Sequence, residues 1–519
     1  MLDVTERDVS LTEWVELIAE YEHNDIPIIN IKEDGVTYDA IFVGGGAGGR
    51  FGGSYLTAMG GKALIIDAWP FLGGSCPHQA CVPHHLFSEA AALLERERRL
   101  AGKLWFRQPG ELKVSMLELI EAFRNLRNSA HAVMNFQTKS QLGVDYVLNA
   151  KATVIDPYTV EVAGRTFHTR NVVLGMGAHQ RPLHLPGGDL PGVYDYATLV
   201  EDLDYEPTRC VIIGGSKVAV EYGSFFQAAG VQTTILTRSP LLTTKSLHHV
   251  DEDLRRYVVD NMRTSGIQIL EGSTPIAING DGKVEEVVVK TAEGDTVRIP
   301  CDFVYNGTGE KPLSDLASQW LGVKVGARDE VVVDSRMRTS VDNVYAIGDL
   351  IGGPMEMFKA RKCGMTAARN IMGQDYEFDF SEYPDFLHTT FEVTWVGLTE
   401  DEAREKYPNV VTLQMPPKGI DPSTICLPAS DGTMLYAFLR PEDSGFQKAV
   451  IDGDTRRIVG VHHVGYGAKD AFQYLDYLMS RPEGLTVDDM AEMNELFLNP
   501  EHFIQLSRLR AGSPNLVDL

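Results

Sequence analysis

Two cysteines separated by four residues, Cys76 and Cys81, are the side chains of this sequence most able to do covalent chemistry. The chain holds six cysteines in 519 residues, too few for a disulfide scaffold, and Cys210, Cys301, Cys363 and Cys426 each stand alone. In a reducing compartment a close pair reads as catalytic or metal-binding, because a thiolate is both a nucleophile and a zinc ligand. His78, His84 and His85 lie beside the thiols and raise the zinc reading. That set crowds into one short span with no second ligand pair, so a redox dithiol is favoured and no metal is expected.

A dithiol needs an electron source, and the surrounding sequence has the grammar of two nucleotide sites. An apolar strand, Asp39 to Val43, runs into Gly44-Gly-Gly46-Ala-Gly-Gly49, then a small-residue helix and a second strand ending at Asp67. Gly44 suits the tight turn, Gly46 the approach of a pyrophosphate, and Gly49 the packing of helix on strand. Asp67, 23 residues after Gly44, suits a ribose hydroxyl. The pattern returns in degenerate form at Arg209 to Ile213, Gly214, Ser216 and Ala219, with a second strand ending in Thr237-Arg238. A guanidinium there pairs a 2′-phosphate better than a 2′-hydroxyl, so Arg238 favours NADP(H) over NAD(H).

The elements that position these motifs imply about three domains, since one hydrophobic core does not serve 519 residues. Residues 1–35 read as an N-terminal surface extension with an acidic amphipathic helix from Thr12 to Tyr21. Residues 36–185 and 306–378 are expected to form two parts of one nucleotide-binding domain, 186–305 a second one, and 379–519 an α+β module, which a family resemblance assigns to FAD, to NADPH and to dimerisation respectively. A helix is expected from Met116 to about Gln137, with Leu117, Ile120, Phe123 and Leu126 at helical spacing. The fold class is α/β, with two Rossmann-like dinucleotide-binding domains and a C-terminal α+β domain. A net charge of −25 argues against nucleic-acid or anionic-membrane partners, so an anionic substrate would need a local basic pocket. No segment has the length of a membrane span, and the first residues lack a signal-peptide pattern, so the cytoplasm is the expected location.

From about Tyr38 to Arg510 the chain resembles the pyridine nucleotide-disulfide oxidoreductases of the glutathione reductase type, on the motifs Cys76-x4-Cys81-Val-Pro83 and Gly348-Asp349. The resemblance implies FAD and NADPH as cofactors and a homodimer. It also implies that Cys81 contacts the flavin, that Cys76 is the exchange thiol, and that Asp349 holds the ribityl chain. The sequence departs from that pattern near its C-terminus. Phe497 and His502 reproduce the spacing of the family's His/Glu acid–base dyad, but phenylalanine cannot move a proton. His84 replaces the lysine that usually follows Cys-Val-Pro, and Glu221 is expected to pair with it.

These departures, with Gly73-Gly-Ser-Cys76-Pro-His78, Gly352 to Lys362, Tyr383 to His388 and Phe497 to Gly512, resemble a narrower family, the 2-ketopropyl-coenzyme M oxidoreductase/carboxylases. That likeness implies NADPH-dependent cleavage of a β-ketothioether, with CO2 trapping the enolate to give acetoacetate and coenzyme M. Cys76 would attack the thioether sulfur. Arg50 and Arg361 would clamp the sulfonate. His502, Gln505, His131 and His78 would hold the enolate oxygen or the CO2, while Phe497 and Met134 keep proton donors and water away. Two other functions fit the motifs: a thioether or disulfide reductase that protonates its product or takes another ketothioether, and a redox-sensing flavoprotein without turnover.

Overall fold

The computed structural model describes residues 10–21, 24–101, 112–244, 247, 249–380, 383–415, 445–465 and 468–490. Strand Ala40–Val43 is buried along its whole length, as expected for an apolar strand with parallel neighbours and both faces covered. It lies between Ala63–Ile66 and Val172–Leu174 in a six-stranded sheet. Asp145–Leu148 and Val344–Ala346 extend this sheet in parallel, and Ile28–Asn30 closes one edge antiparallel. Successive strands step away on opposite sides of Ala40–Val43, so the first glycine turn opens at the switch point where open α/β sheets bind ligands.

The second glycine turn follows the central strand of another parallel sheet, ordered Val193–Tyr194, Phe303–Asn306, Arg209–Ile213, Gln232–Thr237, Gln268–Glu271. A five-stranded antiparallel sheet follows, ordered Asp385–His388, Glu392–Gly397, Ile458–Val464, Phe446–Asp452, Val410–Met415. Helix Ala468–Met479 packs on its strand Glu392–Gly397. The expected α/β class with a C-terminal α+β module is borne out.

Two packing contacts place the chemistry. Helix Cys81–Leu100 is locked to helix Lys217–Ala228 by Phe87, whose ring stacks on Phe225 at 4.6 Å and 11°. Phe87, Phe225 and Trp395 belong to one buried cluster, so the cysteine helix shares its core with the second nucleotide sheet and the C-terminal sheet. Helix Ala47–Ala58 crosses helix Met357–Ile371 backbone to backbone. A Cβ on Gly364 would lie 2.0 Å from the carbonyl oxygen of Gly48, an approach that only glycine permits. That crossing sets Arg50 and Phe51 of the first helix beside Arg361 of the second.

The N-terminal segment is not the surface extension that its acidic, amphipathic sequence suggests. Helix Leu11–Tyr21 packs against helix Met116–Phe136, and Trp14 and Ile18 are buried in the core of the first sheet. Residues 28–30 then pair with that sheet. The i, i+4 spacing of Trp14 and Ile18 makes the buried stripe, while Glu16 and Glu20 keep the outer face polar. Trp14→Ala is expected to cost about 3–5 kcal/mol of stability, as for large aromatic truncations in cores. Chemical denaturation measures this, and a loss under about 1 kcal/mol would return the helix to the surface class.

Candidate active site

A turn through Gly73 and Gly74, both at positive φ (+113° and +69°), carries the chain into the short helix Ser75–His78 and then into Cys81–Leu100. Cys76 and Cys81 are free thiols in mutual hydrogen-bond contact. The thiol of Cys81 donates to Cys76 and holds it below the ordinary thiol range, against the upward push of burial; the Arg361 charge adds to the lowering. The same hydrogen bond, then burial, then the charges of Cys76 and Glu356 drive Cys81 upward. Of the two thiols Cys76 is thus the one whose ionisation the surroundings favour, and its Sγ lies 3.6 Å from Met357 Sδ.

Both thiols line a cavity of about 1500 Å³ that runs from the first glycine turn to the second. A Cβ on Gly44 would lie 2.2 Å from Gly175 O, and one on Gly49 1.9 Å from Gly44 O, so turn, strand and helix are in backbone contact. Gly46 meets nothing nearer than 3.8 Å and leaves the backbone open to a phosphate. Asp67 accepts from the Gly45 and Trp69 amides at 2.5 and 2.8 Å, and burial pushes its carboxyl up to about 6 against those bonds. Asp349 is likewise raised to about 6 by burial, and its Oδ1 has no hydrogen-bond partner among the described residues. An open glycine cradle, a buried acid at the second strand and an orphaned carboxylate oxygen in one cavity fit a flavin dinucleotide: Gly44, Gly46 and Gly49 for its phosphates, Asp67 for a ribose, Asp349 for the ribityl chain.

At the second turn, a Cβ on Gly214 would lie 2.3 Å from Gly307 O. Ser216 occupies the N-cap of helix Lys217–Ala228 without using its hydroxyl as a cap. Arg238 is exposed beyond strand Gln232–Thr237, with no ion pair among the described residues. Its guanidinium is thus open to a phosphate.

His84 Nε2 stands 3.5 Å from Glu221 Oε2, the placement expected from sequence. Glu221 also accepts from the His388 amide at 2.8 Å, and burial pushes it up to about 8 against the pull of Lys217. Sequence reading missed Lys217 itself, whose Nζ lies 2.5 Å from Glu356 and 2.6 Å from Asp385. One buried ammonium there serves carboxylates from two distant stretches of chain. The only local signal was a lysine directly after the degenerate turn.

Arg50 and Arg361 both approach the Phe51 ring, with guanidinium carbons 5.8 and 5.2 Å from its centroid. Neither makes an ion pair with a carboxylate among the described residues. Burial pulls Arg50 below its ordinary value. Met134 Sδ closes on the turn before Cys76, where a Cβ on Gly73 would come within 2.5 Å of it. His131 stacks on Phe71 at 3.7 Å and 8°, and His78 packs against Phe71 and Trp69. Burial lowers His78 to about 4, with Arg127 adding and Glu201 opposing. His131 falls to about 3, through burial first and then His78 and Arg127. Both rings are neutral at physiological pH.

The expected site residues do not all face one space. Cys76, Cys81, Gly44, Gly46, Arg361, Asp67, Asp349, Ser216 and Glu221 line the cavity, whereas Arg50, His78, His131, Met134, Gly49, Gly214 and Arg238 are not among its lining residues. His131 is fully covered, and neither ring nitrogen has a partner among the described residues. Phe497, His502 and Gln505 lie outside the described residues.

Comparison with known proteins is consistent with this geometry. Residues 38–364 match the family model of the pyridine nucleotide-disulphide oxidoreductases, and residues 383–503 match the dimerisation domain of the same family. The chain is 26% identical over 491 residues to a mercuric reductase of Bacillus cereus, covering 93% of this chain and 73% of that one. It is 26% identical over 459 residues to a dihydrolipoyl dehydrogenase of Thermus scotoductus, covering 88% and 93%. Among solved structures, the HOCl-induced flavoprotein disulfide reductase RclA from Escherichia coli superposes with a TM-score of 0.74 at 20% identity, over 90% of this chain and 99% of that one. No helix among the described residues is long and apolar enough to cross a membrane.

The neutral histidines give the site a pH signature. An unfolded imidazole titrates near about 6.5, and the folded ones near about 4 and 3, so the unfolded chain binds more protons between these values. Their contribution to stability is complete above pH 6.5 and is lost as pH falls toward 3. His131→Asn should therefore flatten the decline of melting temperature between pH 6.5 and 4. An unchanged slope would mean that His131 is not buried in its neutral form.

Proposed function

The chain belongs to the pyridine nucleotide-disulphide oxidoreductase family, and from that premise we propose that it reductively cleaves 2-ketopropyl-coenzyme M and carboxylates the released enolate. Enzymes of this family use FAD and NAD(P)H; here the exposed Arg238 favours NADPH. When bound, the flavin supplies the two-electron chemistry that links nicotinamide to the cysteine pair. The dimerisation domain supports a homodimer, which would bring the partner's C-terminal tail to the thiols.

One observation carries the reading: in a chain of net charge −25, Arg361 lines the cavity that holds Cys76 with no carboxylate ion pair among the described residues, and its charge acts on that thiol. A small anionic thioether fits that arrangement, and the forked guanidinium suits a sulfonate. Cys76, kept ionised by Cys81 and Arg361, attacks the thioether sulfur. A sulfur–sulfur bond forms, the carbon–sulfur bond breaks, and its electron pair leaves on the enolate. Cys81, once deprotonated, attacks the mixed disulfide at Cys76, which restores the pair and expels coenzyme M.

The fate of the enolate depends on protons. His78 and His131 are neutral and enclosed by aromatic rings, so neither is a ready acid. On the family resemblance Phe497 takes the place of the dyad's imidazole, and Met134 is apolar. His502 and Gln505 would orient the enolate oxygen or the carboxylate product by hydrogen bonds. With proton transfer disfavoured, CO2 competes as the electrophile.

Incubation with 2-ketopropyl-coenzyme M, NADPH and labelled bicarbonate is expected to yield labelled acetoacetate. Unlabelled acetone alone would instead establish a reductase that protonates its product. A positioned acid is worth about a hundredfold in rate, so Phe497→His should raise the acetone-to-acetoacetate ratio by about that factor. A ratio unmoved by this substitution would contradict proton exclusion as the basis of carboxylation.

A further inference from the structure

Lys448 and Lys359 are 1% and 2% exposed, and they differ in what surrounds them. The Lys448 Nζ lies within 2.8 Å of Asp251, Asp253 and Glu400, the usual way to keep a cation out of water. Lys359 makes no ion pair with a carboxylate among the described residues; its Nζ donates to two backbone carbonyls, Gly348 O at 3.3 Å and Gly352 O. These carbonyls bracket Asp349. They belong to a turn in which Gly348, Gly352 and Gly353 all stand at positive φ (+67°, +63° and +75°), a backbone open to glycine. The turn folds closely over the ammonium, and a Cβ on Gly353 would lie 3.4 Å from Nζ.

Local physics disfavours a cation at this position. Lys359 is the third residue of helix Met357–Ile371, where the positive end of the helix dipole opposes it, and burial pulls its ammonium below the ordinary lysine range. Cys363, one turn along the same helix, and Asp349 act against that pull. Burial raises the Asp349 carboxyl, and Lys359 lowers it. The other titratable groups that face Asp349 are acids, phenols and thiols: Glu356, Glu310, Tyr196, and the thiols of Cys76, Cys81 and Cys363. Lys359 is the cation of this set. Because its hydrogen bonds go to carbonyls, Asp349 Oδ1 is left without a partner among the described residues.

We propose that Lys359 is a positioning residue of the flavin site: it clamps the turn through the carbonyls on either side of Asp349 and lends that acid a positive charge without occupying its oxygens. A direct ion pair would supply the charge but take the oxygen that a ribityl hydroxyl needs. An ionised carboxylate accepts a hydroxyl hydrogen bond more strongly than a neutral carboxyl does. Lys359 thus favours flavin binding from behind the cavity wall, which Asp349 lines and Lys359 does not. The role is independent of the substrate that Cys76 attacks.

Equilibrium dialysis of the holoenzyme against FAD across a pH series tests this without turnover. Burial raises Asp349 to about 6, and its charged form binds better, so affinity is full above that value and falls as pH drops through it. Asp67 is also raised to about 6, so Asp349→Asn isolates the part of the profile that belongs to Asp349. Lys359→Gln keeps a donor for the carbonyls and removes the charge. It should move the Asp349 part of the profile upward by about one pH unit and leave the D349N profile where it stands. Lys359→Met, which also releases the turn, should weaken FAD by about tenfold even at high pH. A K359Q profile with the wild-type midpoint, or one shifted equally in the D349N background, would overturn the proposal, as would a D349N profile identical to that of wild type. Circular dichroism shows which variants fold, and the glutamine variant carries the test where methionine does not.

Discussion

Burial around the cysteine pair, with no carboxylate ion-paired to Arg50 or Arg361 among the described residues, is the constraint on which the rest of the site depends. It leaves Arg50 and Arg361 as uncompensated cations and holds His78 and His131 uncharged. In water neither condition would persist: the arginines would be screened and an imidazole could protonate as readily as it does in a peptide. Inside, the field of Arg361 reaches Cys76 and helps to keep it ionised. Under the proposed reaction, the burial that keeps these histidines neutral would also keep protons scarce beside the carbanion.

That condition is met by packing of the simplest kind. Glycines at the crossing of helices Ala47–Ala58 and Met357–Ile371 bring two backbones together and set the arginines beside one phenyl ring. Phe87 on Phe225 ties the cysteine helix to helix Lys217–Ala228 of the second nucleotide domain, and the buried Lys217 draws Glu356 and Asp385 to the start of that second helix. Polar chemistry is thus divided between the two nucleotide turns. The Lys217 ion pairs and the His84–Glu221 contact lie at the helix that follows the second nucleotide turn, while Arg50 sits on the helix that follows the first.

Local sequence patterns revealed what local physics dictates. Gly44, Gly49 and Gly214 were legible because a side chain at any of them would collide with backbone, and Cys76 and Cys81 because a close thiol pair has few uses. The amphipathic N-terminal helix was misplaced, since Trp14 and Ile18 have the same spacing whether a helix lies on a surface or docks into a core. Lys217 with Glu356 and Asp385, and Arg50 with Gln137 and Thr138, could not be found by spacing. Each set joins residues far apart in the chain, and only the fold brings them within a hydrogen bond. Enclosure of His131 behind Phe71 was likewise invisible, because a buried structural histidine and a catalytic one look alike in sequence.

The central claim is that Cys76 is the ionised, attacking member of the pair because of the groups around it. Alkylation of the reduced protein with iodoacetamide across a pH series, with each cysteine followed by peptide mass, tests this directly. Cys76 should be modified before Cys81 at every pH, with a midpoint below the ordinary thiol value of about 8.5, and Arg361→Gln should move that midpoint upward. Modification of Cys81 first, or a Cys76 midpoint at or above the ordinary value, would contradict the account.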